Sequence, residues 1–276
     1  MKCKIVADSS ANVYERDNIE YTSVPLKIVT SEREFSDVKG TDIAEMVSYL
    51  QSYKGKSSTS CPNVHDWLNA FGDADLILGV TITSGLSGSY ESAMQAKKEY
   101  EAKHPNAKVL IVDSLSAGPE LELIIEKMEE VLKTEQTFEE MTKTISDYCK
   151  HSHLLFSLKH LDNLARNGRV SPAVAKIAGI LGIHVVGKAS DEGTLQQLHK
   201  CRGEAQTVNS IWNEMQKHGY NGGKVRLAHC FHPKMAQVLA DIIQVNYPNA
   251  DVRITPCTAL CSFYAEQGGL MIGYEG

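Results

Sequence analysis

The feature that most constrains this chain is the alternation, through its first half, of short β-branched runs with segments of helical periodicity. The runs lie at 3–8, 21–29, 75–82 and 108–113, and the helical patterns between and after them near 42–53, 63–71, 87–103 and 119–133. Such alternation predicts a mostly parallel sheet with helices on both faces, a three-layer α/β/α unit. A further helix over 137–150 leads into a region of different rhythm, with strand candidates at 153–158, 182–190, 194–202, 224–230, 251–257 and 269–275. Ser190-Asp-Glu-Gly193 has the chemistry of a hairpin turn, so the sheet there is expected to be mixed and partly antiparallel, with its own helices. The reading is therefore a two-domain α/β chain divided at 1–150 and 151–276. At 276 residues it has room for two cores, and no low-complexity linker separates them, so a cleft between them is the default ligand site.

Composition removes several classes of function. An apolar share of 42% and a charged share of 22% describe an ordinary globular chain without a membrane span. Met1-Lys-Cys-Lys-Ile-Val6 enters a strand pattern at once, with no signal-peptide pattern, which predicts a cytoplasmic protein. The seven cysteines are odd in number and scattered, so reduced thiols are expected rather than a disulfide framework. A formal net charge of −6 offers no basic footprint for nucleic acid. Cys257 with Cys261, and His151 with His153, do not make a recognised four-ligand set, so neither a metal nor another cofactor is expected.

Two polar clusters follow strands of the first half, where open α/β sheets bind ligands. In Ser57-Ser-Thr-Ser-Cys-Pro-Asn63, Ser60 is placed to cap the next helix, Pro62 suits its first turn and Thr59 keeps a free hydroxyl. In Thr83-Ser-Gly-Leu-Ser-Gly-Ser89, Gly85 and Gly88 permit close backbone approach, while Ser84, Ser87 and Ser89 bring hydroxyls. Together they look like an anion cradle. The second cluster lacks the lysine of a nucleotide-binding P-loop and the spacing of a dinucleotide fingerprint. It also stops one glycine short of the nucleophile elbow of serine hydrolases, which leaves an esterase or thioesterase using Ser87 as the alternative function.

In order along the chain, Asp8-Ser-Ser10, Ser58-Thr-Ser-Cys-Pro62, Ser84-Gly-Leu-Ser-Gly-Ser-Tyr-Glu-Ser-Ala93, Val112-Asp-Ser114 and Leu161-Asp-Asn-Leu-Ala-Arg-Asn-Gly-Arg-Val-Ser171 resemble the DegV family over nearly the whole length. The resemblance implies a carrier with no reaction of its own. In it, Thr59, Ser60, Ser84, Ser87 and Gly88 hold the carboxylate of a palmitate-like fatty acid, and the acyl chain runs into the second domain. It further implies that Arg169 braces the head-group region and that a separate ATP-dependent fatty-acid kinase docks near Arg202. Neutral hydroxyl and N–H donors suit a carboxylate, and at ~0.8 kcal/mol per buried methylene a fourteen-methylene tail gains ~11 kcal/mol before ordering costs. Val174, Ile177, Ala178 and Leu181 share one face of the segment after Pro172 and are candidates for a tunnel wall.

Two stretches depart from the family pattern. Where relatives carry a Gly-x-His-x-Gly-Pro-Gly segment whose histidine helps hold the carboxylate, this chain reads Tyr264-Ala-Glu-Gln-Gly-Gly-Leu270, which sets Glu266 at the histidine's place. A second carboxylate there is expected to repel a free acid or share its proton. Gly118-Pro-Glu120 stands where relatives are apolar and glycine-rich, which affects the length or width of a tunnel nearby.

Overall fold

The computed structural model describes residues 1–171, 174 and 182–276. Strands β1 (Cys3–Asp8), β2 (Glu20–Val24), β6 (Leu76–Thr81) and β7 (Lys108–Asp113) form a parallel sheet in the order β2-β1-β6-β7. Their side chains alternate between two covered faces. Val6, Ile77 and Val109 pack with Trp67 and Phe71 of α2 (Val64–Phe71) and Ala93 and Ala96 of α3 (Ser89–Lys103). Ile5, Leu76 and Leu78 pack with Leu121, Ile124 and Met128 of α4 (Pro119–Val131) and Ile145 of α5 (Phe138–Cys149). This is the three-layer arrangement expected.

The run expected at 21–29 is two strands, not one. Pro25 has no N–H to continue a ladder, and after it the Leu26 N–H donates to Ser9 Oγ at 3.0 Å, turning the chain out of the parallel sheet. The residues beyond it become β3 (Lys27–Val29), the centre of a small antiparallel sheet with β4 (Glu34–Ser36) and β5 (Ser58–Ser60), ordered β4-β3-β5. Helix α1 (Ile43–Ser52) connects β4 to β5.

The second half builds a six-stranded sheet from β8 (Ser152–Leu158), β9 (Ile183–Ala189), β10 (Leu195–Arg202), β11 (Val225–His229), β12 (Val252–Pro256) and β13 (Leu270–Glu275), ordered β10-β9-β8-β13-β11-β12. Only β11 and β12 run parallel, so the sheet is mixed, and β9 and β10 are joined through Ser190–Gly193, with Gly193 at φ +70°. Helices α7 (Glu204–Lys217) and α8 (Pro233–Asn246) cover one face through Ile211, Met215, Leu239 and Ile243 against Leu155, Leu227 and Ile272. Two short helices, α6 (Asp162–Arg166) and α9 (Ala259–Ala265), lie near the small sheet, and Phe263 of α9 packs with Ile28, Phe35 and Met46.

Helix α4 is shared. It packs on β1 and β6 of the parallel sheet and on β8, β11 and β13 of the mixed one. A Cβ on Gly273 of β13 would lie 2.5 Å from the Pro119 carbonyl carbon, so the start of α4 rests directly on that strand's backbone. The face of α4 toward the mixed sheet carries Glu122 and Glu126, which meet Arg226 of β11, itself 1% exposed. None of the described helices is long and apolar enough to cross a membrane.

Candidate functional site

The site is organised by Asp8, a fully buried carboxylate at the end of β1. It accepts hydrogen bonds from the Ile82 N–H (2.9 Å), Ser89 Oγ (2.6 Å), and the Ser10 N–H and hydroxyl. Those bonds fix both ends of the 83–88 loop against the first strand. Burial pushes the Asp8 carboxyl up, while its four donors oppose that shift. Asp113, at the end of β7, accepts the Ser84 N–H at 3.0 Å and the Leu115 N–H at 3.2 Å, tying the same loop to the next strand. Helix α3 begins with Gly88 as its cap residue and no side-chain cap bond, and of its first N–H groups that of Ser89 donates to Ser87 Oγ at 3.3 Å.

Helix α2 is different. Its cap is Asn63, whose side chain accepts from the His65 and Asp66 N–H groups while Asp66 accepts the Asn63 N–H, a complete capping box. Ser60, expected at that cap, is instead the last residue of β5, and its exposed hydroxyl donates to the Cys61 carbonyl at 3.3 Å. The correction follows from the strand: once Ser58–Ser60 pairs with β3, the helix cannot start until three residues later.

Thr59 and Ser87, from the two polar clusters, line one apolar cavity of about 80 Å³. Its other walls come from Leu26, Leu86 and Leu260 and, from the mixed sheet, Leu154, Phe156, Leu158, Leu195 and Met271. Arg169 also lines it, with its Nε donating to the Leu86 carbonyl at 3.2 Å and its Nη1 to the Asn167 carbonyl. It therefore links the Ser-Gly loop to the turn after α6. A Cβ on Gly88 would lie 3.4 Å from Cys61 Sγ, which measures how closely the two clusters approach. Ser84 and Gly88 are exposed and do not line the cavity; Ser84 serves the loop through its backbone bond to Asp113.

Glu266 does not line this cavity either. Its Oε1 accepts the Asn163 N–H at 3.0 Å in the first turn of α6, and burial pushes its carboxyl up. The residue ends α9 at φ +51°, and its side chain joins the lining of a separate surface cleft with His160 and Asp162. The position facing Thr59 is held by Tyr264, whose hydroxyl shares a 2.6 Å hydrogen bond with Thr59 Oγ1. Direct contact between the Glu266 carboxylate and a ligand in the cavity is therefore not found. Sequence reasoning did not single out Tyr264 as a lining residue; the available signal is its place two residues earlier in the same segment.

Val174 packs against the apolar cluster that contains Phe156, Leu158 and Leu164, three residues of the cavity wall. Ile177, Ala178 and Leu181 lie outside the described residues. Arg202 ends β10 with an exposed side chain, and its N–H donates to Gln206 Oε1 at 2.7 Å. A hydrolase would need a base beside Ser87. Among the described residues lining the cavity there is no histidine, and Ser87 Oγ accepts the Ser89 N–H at 3.3 Å.

A larger groove of about 670 Å³ lies between the edge of the parallel sheet at β7, helix α5 and strands β8 and β9. Glu120 lines it, receiving hydrogen bonds from Ser116 Oγ at 2.5 Å and Ser152 Oγ at 2.9 Å. Burial pushes this carboxyl up to about 7 against the opposing effect of both serines.

The model of the DegV family, described as one of uncharacterised proteins, matches residues 2–275. The chain belongs to the DegV family. It is 40% identical over 279 residues to a DegV domain-containing protein of Streptococcus pneumoniae strain R6, covering 100% of this chain and 99% of that protein. Among solved structures, a DegV family protein of Eubacterium eligens loaded with heptadecanoic acid is 42% identical, with a TM-score of 0.97 and 99% of both chains covered. The Streptococcus pneumoniae Fatty Acid Kinase (Fak) B3 protein loaded with linoleic acid is 40% identical, with a TM-score of 0.97, covering 100% of this chain and 99% of that one. In this DegV chain the Thr-Ser-x-Pro and Ser-Gly segments supply Thr59 and Ser87 to one cavity wall, and the final segment supplies Tyr264 opposite Thr59.

Proposed function

We propose that this chain binds one long-chain fatty acid, with the carboxylate held by Thr59, Ser87, Tyr264 and Arg169 and the acyl chain against Leu154, Phe156 and Leu158. The observation that carries the reading is an apolar cavity whose polar lining, among the described residues, consists of three hydroxyls and one guanidinium. Hydroxyl donors satisfy a carboxylate, and the guanidinium offsets its charge, without placing another acid beside it. The two relatives loaded with heptadecanoic and linoleic acid support the ligand class. Thr59, Ser60, Ser84, Ser87 and Gly88 remain the head-group segments of this reading. In it, Ser60, Ser84 and Gly88 shape the two loops and Thr59 and Ser87 make the contacts.

The relative named as a fatty acid kinase B protein supports a second element of the proposal, that the bound acid is handed to a separate kinase. The exposed end of β10 at Arg202 is the docking position proposed for that partner, and the division into two domains near residue 150 belongs to the same reading. Native mass spectrometry of protein purified from cells, followed by lipid extraction, tests the ligand. One fatty acid at near-unit stoichiometry is the expected result; no lipid, with none taken up from added palmitate, overturns it. Thr59→Val and Tyr264→Phe each remove a hydroxyl from the head-group end and are expected to weaken palmitate binding about 10-fold or more, on the basis of ~1.5–3 kcal/mol for a hydrogen bond to a charged group. Unchanged affinity in both, measured by titration with a fluorescent fatty acid, would place the carboxylate elsewhere.

A further inference from the structure

The cavity encloses about 80 Å³, small beside the ~300–1,000 Å³ of pockets that hold drug-sized ligands. Strand β8 shows what lies beyond the far end of this space. Leu158, Phe156 and Leu154 alternate along one face of the strand and line the cavity. Ser152, next on that face, donates its hydroxyl to Glu120 in the larger groove. At ~3.4 Å per residue, the row from Leu158 to Ser152 spans about 20 Å. Cavity and groove therefore adjoin along this part of the strand, the groove also reaching His153 and Leu155 of its other face.

Among the described residues, Leu154 alone lines both spaces. Its neighbour in the wall is Met271 of β13, the cross-strand partner of Phe156. The Met271 side chain fills the place a side chain on Gly118 would take, with Cε 2.5 Å from an ideal Cβ there. The partition between cavity and groove is thus one layer of apolar side chains, backed by the glycine that opens α4.

We infer that Leu154 and Met271 form the end wall of the acyl site and set the longest chain this protein retains. The inference rests on the fatty-acid reading above and adds the residues that determine chain length. Methionine is unbranched and adapts to the shape beside it, so the wall accommodates the terminal methyl of a chain that reaches it. A longer chain would have to pass Leu154 and meet the Glu120 carboxyl with its two serines, where methylenes gain less from burial than among apolar side chains. The departure at Gly118-Pro-Glu120 thereby acquires a role: Gly118 makes room for Met271, and Glu120 makes the space beyond it polar.

The test is the length distribution of fatty acids extracted from wild type, Leu154→Ala and Leu154→Phe purified from the same cells. Leu154→Ala should move the mean upward by about three carbons, the number of carbon atoms the substitution removes, and Leu154→Phe should move it downward. Met271→Ala should shift it upward as well, and serves if Leu154→Ala does not fold. Folded variants that carry fatty acid at wild-type occupancy with an unchanged distribution overturn the end wall and leave the carrier reading intact. A wild type that neither retains nor takes up fatty acid overturns the carrier reading itself.

Discussion

Replacing Arg226 by methionine is expected to lower the stability of the folded chain by about 3–5 kcal/mol, as breaking a buried ion pair from one side does. The guanidinium holds both Glu126 carboxylate oxygens, at 2.9 and 2.7 Å, the Asp251 carboxylate at 2.7 Å, and the carbonyls of Val225 and Asp251 at 3.0 and 2.9 Å. Methionine fills similar volume but satisfies none of these acceptors. Glu126 keeps Arg253 at 3.1 Å and Lys224 at 3.5 Å, so the loss should fall toward the lower end of the range. Urea unfolding measures it. The pair Arg226→Met with Glu126→Met is expected to recover most of the loss, since the cost lies in stranding one charge rather than in lacking the bridge. A single substitution costing less than ~1 kcal/mol would mean that solvent reaches Glu126 more freely than its burial implies.

The second large effect depends on pH. Glu120 has its carboxyl raised to about 7 by burial, from 4.5 when unperturbed. Between those values the folded chain binds more protons than the unfolded one, so stability falls as pH rises. The contribution is fully favourable below about 4.5 and is lost as pH passes through about 7. Across this interval the change amounts to about 3 kcal/mol at ~1.4 kcal/mol per unit. Glu120→Gln keeps the shape and removes the charge. It is therefore expected to be more stable than wild type at pH 8 by up to about 3 kcal/mol, with the difference shrinking toward pH 5. Unfolding free energies of both proteins at several pH values decide the matter; a constant difference would show that Glu120 is not the titrating group.

Much of the architecture was legible because its signals are local and repeated. Parallel strands covered on both faces read as continuous apolar runs, as Leu76 to Val80 does, and the Ser190–Gly193 turn announced an antiparallel pair before any strand order was known. The small β4-β3-β5 sheet left no such trace. Its strands are three residues long, too short for a period to show, and Pro25 is the only sequence mark that the run across it divides. The cavity lining was legible where its polar groups sit on segments of fixed spacing, as Thr59 and Ser87 do. It was misread at Glu266 because the direction of that side chain depends on a left-handed backbone at a non-glycine residue, φ +51°, which no local pattern predicts. Tyr264, on the last turn of α9, faces Thr59 instead. Ser60 was misassigned for a tertiary reason, since pairing of β5 with β3 competes with an earlier helix start.

A helix that serves as a layer for two sheets also has a consequence for how the chain melts. Residues 1–150 taken alone would keep α4 but lose its cover from β8, β11 and β13, exposing Glu122 and Glu126 without Arg226. The remainder would expose the backbone of β13 at Gly273, on which α4 rests. Neither piece retains a complete interior, so the shared helix couples the two sheets thermodynamically. Heating should give a single calorimetric transition, with the calorimetric and van't Hoff enthalpies in agreement, in a chain whose two sheets have separate hydrophobic clusters.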